Sequence, residues 1–565
     1  MGLCRPAAFR QYDGGKISCR PGGDPETHTD AGALTDTSTI VSSRTRGSGR
    51  ENARPWPRRT VVIVPSAVTF AVAVWGIRGP SLWRDEAATL SAVRRTPGEL
   101  WSMLQNIDAV HGLYYFLLWP FVRWFGDSEI VVRLPSAAAM AVAAFGVTVL
   151  GGRLLSHRVG MLAGLVFAVT PTVSRYGQEA RSTAFVVALA TFATLLLVLA
   201  VERGTARWYA AYALLLASTI AAGLMSVLLI PAHLVYILLS AGPGGNRKAR
   251  VRAWASSAAI ALVAASPFAV LAWRQRSAVQ WIQETDTDQV FGVVSTLFGG
   301  GYVFVLLPLA AIGAMGALGG RRFAHAKTKT KMEAEAEASP EASPGASPGV
   351  SPAGARVRTF RFLLAWMLLP GALLLLVSLA QPMFLFRYLA CSFPAVALVS
   401  GAVLADMGNK TRIAVVAVAA ILFVPAHQVV RTPDAHGGDD IRALSDFVGG
   451  HKRPDDAVVF LPAFWRHVTA AYPEGFSGLR DIAQEATPRT AATLTGSEVD
   501  VPEFNRRLET VRRVWIVEPG EPDLTGVRTD PLWAAKNAIT GSPGFAGSLT
   551  RKSGGYRVRL YTRSR

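Results

Sequence analysis

The chain has 565 residues, half of them hydrophobic and 17% charged, with a mean hydropathy of +0.29. Soluble domains carry charge at about a quarter of their positions, so this composition excludes an ordinary soluble enzyme. Recurring apolar runs near twenty residues, each long enough for a ~30 Å hydrocarbon core, indicate a polytopic membrane protein. The net charge of +19 would suggest nucleic acid in a soluble chain. Here much of the Lys and Arg lies in short loops between apolar runs, where the positive-inside rule accounts for it. No nucleic-acid partner is expected. Cys4, Cys19 and Cys391 are the three cysteines, and none falls in the C-terminal region, so there is neither a disulfide framework nor a zinc spacing.

Residues 1–59 are polar and rich in Gly, Ser, Thr and Arg, and read as a disordered cytoplasmic tail. The first span is expected to be an uncleaved signal anchor. Eleven spans are predicted, near 61–79, 134–152, 158–175, 182–201, 208–222, 224–241, 254–273, 292–318, 360–380, 387–406 and 412–430. The basic loops "GRLLSHR" (152–158), "ERGTAR" (202–207), "GNRKARVR" (245–252) and "GNKTR" (408–412) all fall on one side in that count, which is then the cytoplasm of a multi-pass plasma-membrane protein. The segment "HGLYYFLLWPFVRWF" (111–125) is apolar but short, and is read as an interfacial helix of the first outer loop; spanning would flip the later basic loops outside. Residues 320–358 form a low-complexity, Pro/Ala/Ser-rich cytoplasmic insertion that cannot bury a core.

Residues 431–565 read as a small extracytoplasmic α/β domain. Its helix is expected at 439–451 and its strands at 456–461, 511–519 and 556–563. The fold class is therefore mainly α. It is a membrane helix bundle over 60–430 with juxtamembrane helices in the first outer loop, followed by the α/β domain.

In this topology the ionisable residues beside the spans gather on the outer side. They are Asp85, Glu86, Asp108 and His111 in the first loop, Arg133 where span 2 opens, Tyr176, Gln178, Glu179 and Arg181 after span 3, and Arg387 and Tyr388 where span 10 opens. Singly, each has a plain reading: a snorkelling Arg, a belt Tyr, a solvated helix end. Together they suit chemistry on a lipid-linked donor, because no nucleotide-binding glycine loop is present. Arg binds phosphate bidentately and keeps its charge. One carboxylate can take the proton of an attacking hydroxyl while the cations hold the leaving phosphate. Such a site needs no metal, although a divalent cation shared by Asp85 and Glu86 stays open.

The stretches "SLWRDEA" (81–87), "DAVHGLYYFLLWPFVRWFGDSEIVVRLPSA" (108–137), "PTVSRYGQEARS" (171–182) and "FRYLACSFP" (386–394) resemble the C superfamily of membrane glycosyltransferases, which use polyprenyl-phosphate sugars. The nearest branch is the protein O-mannosyltransferase and aminoarabinose-transferase type found in actinobacteria. The resemblance covers roughly 60–430. It implies that Asp85 is the base with Glu86 beside it, and that Arg133 serves the lipid phosphate. It also maps the late Arg-Tyr pair onto Arg387 and Tyr388, and the Tyr-Gln-Glu-Arg set onto Tyr176, Gln178, Glu179 and Arg181. It further implies inversion at the anomeric carbon, with a hexose such as mannose passing to a protein, glycan or glycolipid acceptor. One departure touches His111. The family pattern has His-Pro-Pro before Leu-Tyr-Tyr, and here "HGLYY" has Gly112 and one residue fewer. The alternative class is a lipid or glycan transporter or flippase, which would favour ionisable groups at mid-membrane and an inverted repeat; the charges gather at one face instead.

Overall fold

The computed structural model describes residues 58–240, 246–279, 282, 352–520, 530 and 532–564. Residues 1–57 of the expected tail, the span predicted at 292–318 and residues 320–351 of the expected insertion lie outside the described residues; residues 58–59 and 352–358, expected to be unstructured, instead open helices Arg58–Val74 and Pro352–Ala380. Each of the other ten predicted spans overlaps a helix.

Helix α1 (Arg58–Val74) leads into an irregular segment and then three short helices, α2 (Arg84–Val93), α3 (Pro97–Asn106) and α4 (Gly112–Phe125). Helix α3 starts at a capping box, where Thr96 N–H donates to Glu99 Oε2 at 2.8 Å and Pro97 fills a position that needs no donor. The fourteen residues of α4 reach about 21 Å at 1.5 Å per residue, less than a bilayer core. It buries Tyr114, Tyr115, Leu118 and Val122 and exposes Leu117, Trp124 and Phe125.

The bundle continues through α5 (Glu129–Leu154), α6 (His157–Val169), α7 (Pro171–Gly177), α8 (Thr183–Arg203), α9 (Ala206–Ala222), α10 (Leu229–Ser240), α11 (Arg247–Arg274), α12 (Pro352–Ala380), α13 (Phe393–Asp406) and α14 (Asn409–Val429). Six of the described helices are long and apolar enough to cross a membrane. A seventh candidate is the pair α6–α7, bent by 64° where extended Thr170 meets Pro171. Beyond that break, residue 180 meets α2: its N–H donates to Glu86 Oε1 and its carbonyl accepts from Thr89 Oγ1. Ile260, Val263, Leu376, Leu379, Ile413 and Ile421 are exposed on the bundle surface, an apolar exterior that water would not tolerate but lipid does.

Beyond α14 comes α15 (Ile441–His451), followed by a five-stranded sheet in the order β2-β1-β5-β7-β6. Its strands are β1 (Ala457–Phe460), β2 (Arg480–Asp481), β5 (Arg513–Pro519), β6 (Phe545–Ser553) and β7 (Tyr556–Arg563). Strand β1 pairs in parallel with β2 and β5, while β7 runs antiparallel to β5 and β6. A separate ribbon joins β3 (Gln484–Ala486) to β4 (Ser497–Glu498). The helices α16 (Val501–Glu509) and α17 (Trp533–Gly541) complete the domain. The expected helix and three strands lie where the alternation placed them. One hydrophobic core joins this domain to the first-loop helices: Leu82, Ala87, Leu90 and Tyr115 share it with Ile441, Leu444, Trp465, Trp515 and Tyr556. Residue 431 is therefore a boundary in chain order and not in packing.

Candidate active site around Asp85

The first turn of α2 presents Arg84, Asp85 and Glu86, and the three side chains go three ways. Glu86 points into the protein and is fully buried. Its Oε1 accepts from Arg133 Nε at 2.8 Å and from Ala180 N–H at 2.8 Å, and its Oε2 accepts from Arg133 Nη2 at 2.6 Å. Burial works against the charge, but the Arg133 guanidinium overcomes it and holds the carboxyl down at about 2. Arg133 spends its remaining donors on the carbonyls of Ile77 and Pro80 (Nη1, 2.8 and 2.9 Å) and Ser81 (Nη2, 3.0 Å). A guanidinium has five N–H donors, and all five are used.

Asp85 points toward the bundle and keeps its side chain 20% exposed. Its Oδ2 accepts from Arg387 Nη1 at 2.6 Å and lies 3.6 Å from Arg181 Nη2. Among the described residues nothing donates to Oδ1. Burial raises its affinity for a proton, but Arg181 and then Arg387 outweigh that and hold it at about 2. It is ionised at neutral pH.

Arg181 is nearly buried and commits both terminal nitrogens: Nη1 to Tyr115 Oη (3.0 Å) and to the Asp85 carbonyl (3.3 Å), Nη2 to His111 Nε2 (2.7 Å). His111 Nε2 therefore accepts, and the ring is neutral; burial first, and then Arg181, push its affinity for a proton down to about 3. Its Nδ1 lies 3.4 Å from Ser182 Oγ. Tyr115 in turn donates to Asp108, whose φ of 63° places a non-glycine residue in the left-handed region beside the site.

The family described as dolichyl-phosphate-mannose-protein mannosyltransferase matches residues 112–273, from α4 to the end of α11. ArnT from Cupriavidus metallidurans in the apo state superimposes with a TM-score of 0.52 at 13% identity, covering 88% of this chain and 97% of that one. The same protein bound to undecaprenyl phosphate gives 0.51 at 14% identity, with the same coverage. No curated protein matches the sequence. The chain has the fold of ArnT.

Within that fold the candidates from sequence separate into two groups. Asp85, Asp108, His111, Arg181 and Arg387 form one connected polar network with Tyr115. Tyr388 is half-buried next to Arg387, on the 3₁₀ turn Phe386–Ser392. Glu86 and Arg133 form the second group, sealed from it. The resemblance assigns Arg133 to the lipid phosphate, whereas in this structure all five of its donors are taken by Glu86 and three carbonyls. Glu86 likewise has no reach to a substrate; its carboxylate locks the 77–81 segment and residue 180 to α2. Gln178 also braces, its Nε2 donating to the carbonyls of Ala73 and Trp75 at the end of α1. Tyr176 stacks on Phe393 with ring centroids 6.0 Å apart. Glu179 is buried with Oε2 unpartnered, and desolvation pushes it up to about 7.

Two further residues at the site come from the start of the C-terminal domain. His436 is fully buried with Nδ1 3.9 Å from Glu86 Oε2. Asp439 pairs with Arg84 at 3.1 Å. In sequence they lie about 350 residues from α2, His436 in a Gly/Asp stretch and Asp439 at the start of the predicted helix 439–451, and no local signal marks them as site residues.

Proposed function

We propose that the protein transfers a hexose, mannose in the first instance, from a polyprenyl phosphate to a hydroxyl on an extracytoplasmic acceptor, with inversion. The observation that carries this reading is the geometry of Asp85. It is an ionised, partly exposed carboxylate with one free oxygen, held against an arginine that is itself only partly committed. Arg387 gives one nitrogen to Asp85 and keeps the rest of its fork for an incoming phosphate. Asp85 Oδ1 accepts the proton of the acceptor hydroxyl as that oxygen bonds to the anomeric carbon. The bond from that carbon to the phosphate oxygen breaks, and Arg387 holds the charge that develops on the leaving phosphate. Arg181 fixes the Asp85 backbone and His111 and serves as a scaffold. The likeness to a protein whose structure holds undecaprenyl phosphate supports the donor class, and the family match over 112–273 supports mannose.

The chemistry asks for no divalent ion, because the arginines supply the positive charge. On the basic loops between the spans, we put the N-terminal segment in the cytoplasm and the C-terminal domain outside. Purified protein in nanodiscs, given labelled polyprenyl-phosphate mannose and cell-envelope acceptor, should transfer sugar, and transfer should persist in EDTA. Asp85→Asn should lower the rate by ~100- to 10,000-fold, the usual contribution of a general base. Wild-type rates in Asp85→Asn would refute the base, and vesicle uptake of lipid-linked sugar without transfer would favour the transporter reading.

A further inference from the structure

Helix α2 carries the proposed base, and its only local cap is the Trp83 N–H donating to Glu86 Oε2 at 3.4 Å. Its N-cap residue is Trp83, which has no side-chain oxygen to accept a first-turn amide. The Arg84 N–H is taken instead by Asp439 Oδ2 at 3.2 Å, from 355 positions along the chain. The same carboxylate accepts from Arg84 Nε at 3.1 Å and Nη2 at 3.3 Å, and from Tyr556 Oη at 3.4 Å. Asp439 is fully buried, so its charge is committed to this helix end, where a negative group suits the positive pole of the helix.

The backbone around it is built for this approach. Gly437 sits at φ +66°, and a Cβ there would come within 2.6 Å of the Trp83 ring. Gly554 sits at φ +56°, and a Cβ there would lie 2.1 Å from the Gly438 carbonyl oxygen. Gly555 N–H donates to that same carbonyl at 2.6 Å. Residues 436–439 thus pass as a strap between α2 and the turn that joins β6 to β7. The other flank of the segment is also held. Leu82 N–H donates to Tyr472 Oη at 2.9 Å, and Arg442 N–H donates to Ser81 Oγ at 3.0 Å.

We propose that the Asp439 carboxylate, from a distant part of the same chain, supplies the N-terminal cap of the helix that presents Asp85, and that it is a positioning residue of the active site. The C-terminal domain is then part of the catalytic unit, because the backbone of residue 85 is aimed by a group the domain supplies. A misplacement of about 1 Å at a reacting group costs on the order of 100-fold in rate. The kinetic part of this inference rests on the glycosyltransferase reading; the structural part does not.

The test uses the full chain in nanodiscs, with Asp439→Asn and Asp439→Ala beside wild type. Amide hydrogen exchange is read over residues 83–88, and kcat and KM are read with polyprenyl-phosphate mannose. Asp439→Ala should speed first-turn exchange by about tenfold or more and lower kcat by roughly 10- to 100-fold with donor KM unchanged. Asp439→Asn keeps an oxygen for the Arg84 amide and should restore part of both. If Asn and Ala behave alike, the carboxylate is only a salt-bridge partner and the cap is refuted. Unchanged exchange in Asp439→Ala also overturns it. If Asp439→Ala does not fold, Asp439→Asn against wild type decides, because the cap requires near-native exchange in that variant. Wild-type protein that transfers no sugar, while the variants show the exchange pattern, refutes the reaction and leaves the cap standing.

Discussion

Arg133 is the residue on which sequence and structure part most sharply, and its replacement separates the two readings. Arg133→Met removes a guanidinium that is fully buried and satisfied by Glu86 and three carbonyls. Removing one partner of a buried ion pair leaves an uncompensated charge and costs about 3–5 kcal/mol. The carbonyls of Ile77, Pro80 and Ser81 lose their donor as well, and whatever part of that is not repaired by water adds to the loss. Against a total stability of ~5–15 kcal/mol this is a large share. The variant should melt well below wild type when heated in detergent and followed by fluorescence-detected size exclusion. The double variant Glu86→Met/Arg133→Met should recover part of the loss, since no charge is then buried, but not all of it, since the carbonyls stay unpaired. A phosphate-binding Arg133 predicts the reverse: native melting with weakened donor binding. That result for Arg133→Met would refute the structural assignment.

Two further expectations follow from the same geometry. Arg387→Ala should raise the donor KM and lower kcat, and Arg387→Lys should rescue only part, because an ammonium cannot hold Asp85 and a phosphate with one planar fork; equal rates in all three proteins, measured with saturating acceptor, would remove Arg387 from the reaction. Glu179 is raised to about 7 by desolvation. The unfolded chain loses that proton near pH 4.3, so folding stability is lost as pH rises from there to about 7. Glu179→Gln should therefore melt above wild type at pH 8 and with it at pH 4, and a variant less stable than wild type at pH 8 would contradict the burial argument.

Much of the fold could be read from hydropathy because lipid imposes a strong, local pattern: an apolar run must be near twenty residues, and the basic loops fix its direction. The strands β1, β5 and β7 were equally legible, since all have buried apolar alternation or runs. Strand β6 was not. Its sequence, "FAGSLTRKS", is exposed over most of its length and sits at the sheet edge, where pairing and not burial keeps it extended. At the site, the sequence singled out charged residues that the structure brings near one another, but it could not tell their partners apart. Asp85 and Glu86 are adjacent, yet helix geometry turns successive side chains by about 100°. One therefore faces Arg387 and the other faces Arg133. Nothing in the pair "DE" says which. Likewise "RLPSA" looks the same whether its arginine meets a lipid phosphate or a carboxylate. The decision lies in three carbonyls of the 77–81 segment that only the folded backbone brings together.

The remaining question is how a carboxylate held near 2 serves as a base. Arg387 supplies the answer through its double commitment. In the resting site it stabilises the Asp85 anion at 2.6 Å, and an anion so stabilised takes a proton poorly. A donor phosphate competes for the same guanidinium, and each increment of Arg387 drawn to phosphate is withdrawn from Asp85. On the proposed reaction, donor binding therefore raises the basicity of Asp85 at the moment an acceptor is needed. Arg181, 3.6 Å away and tied to Tyr115 and His111, stays behind to keep the carboxylate ionised. The coupling is reciprocal: protonating Asp85 must strengthen the hold of Arg387 on the donor. Donor affinity should therefore rise as pH falls through the Asp85 range, while turnover falls over the same interval. A donor affinity that weakens there would mean that Arg387 and the phosphate never share a site.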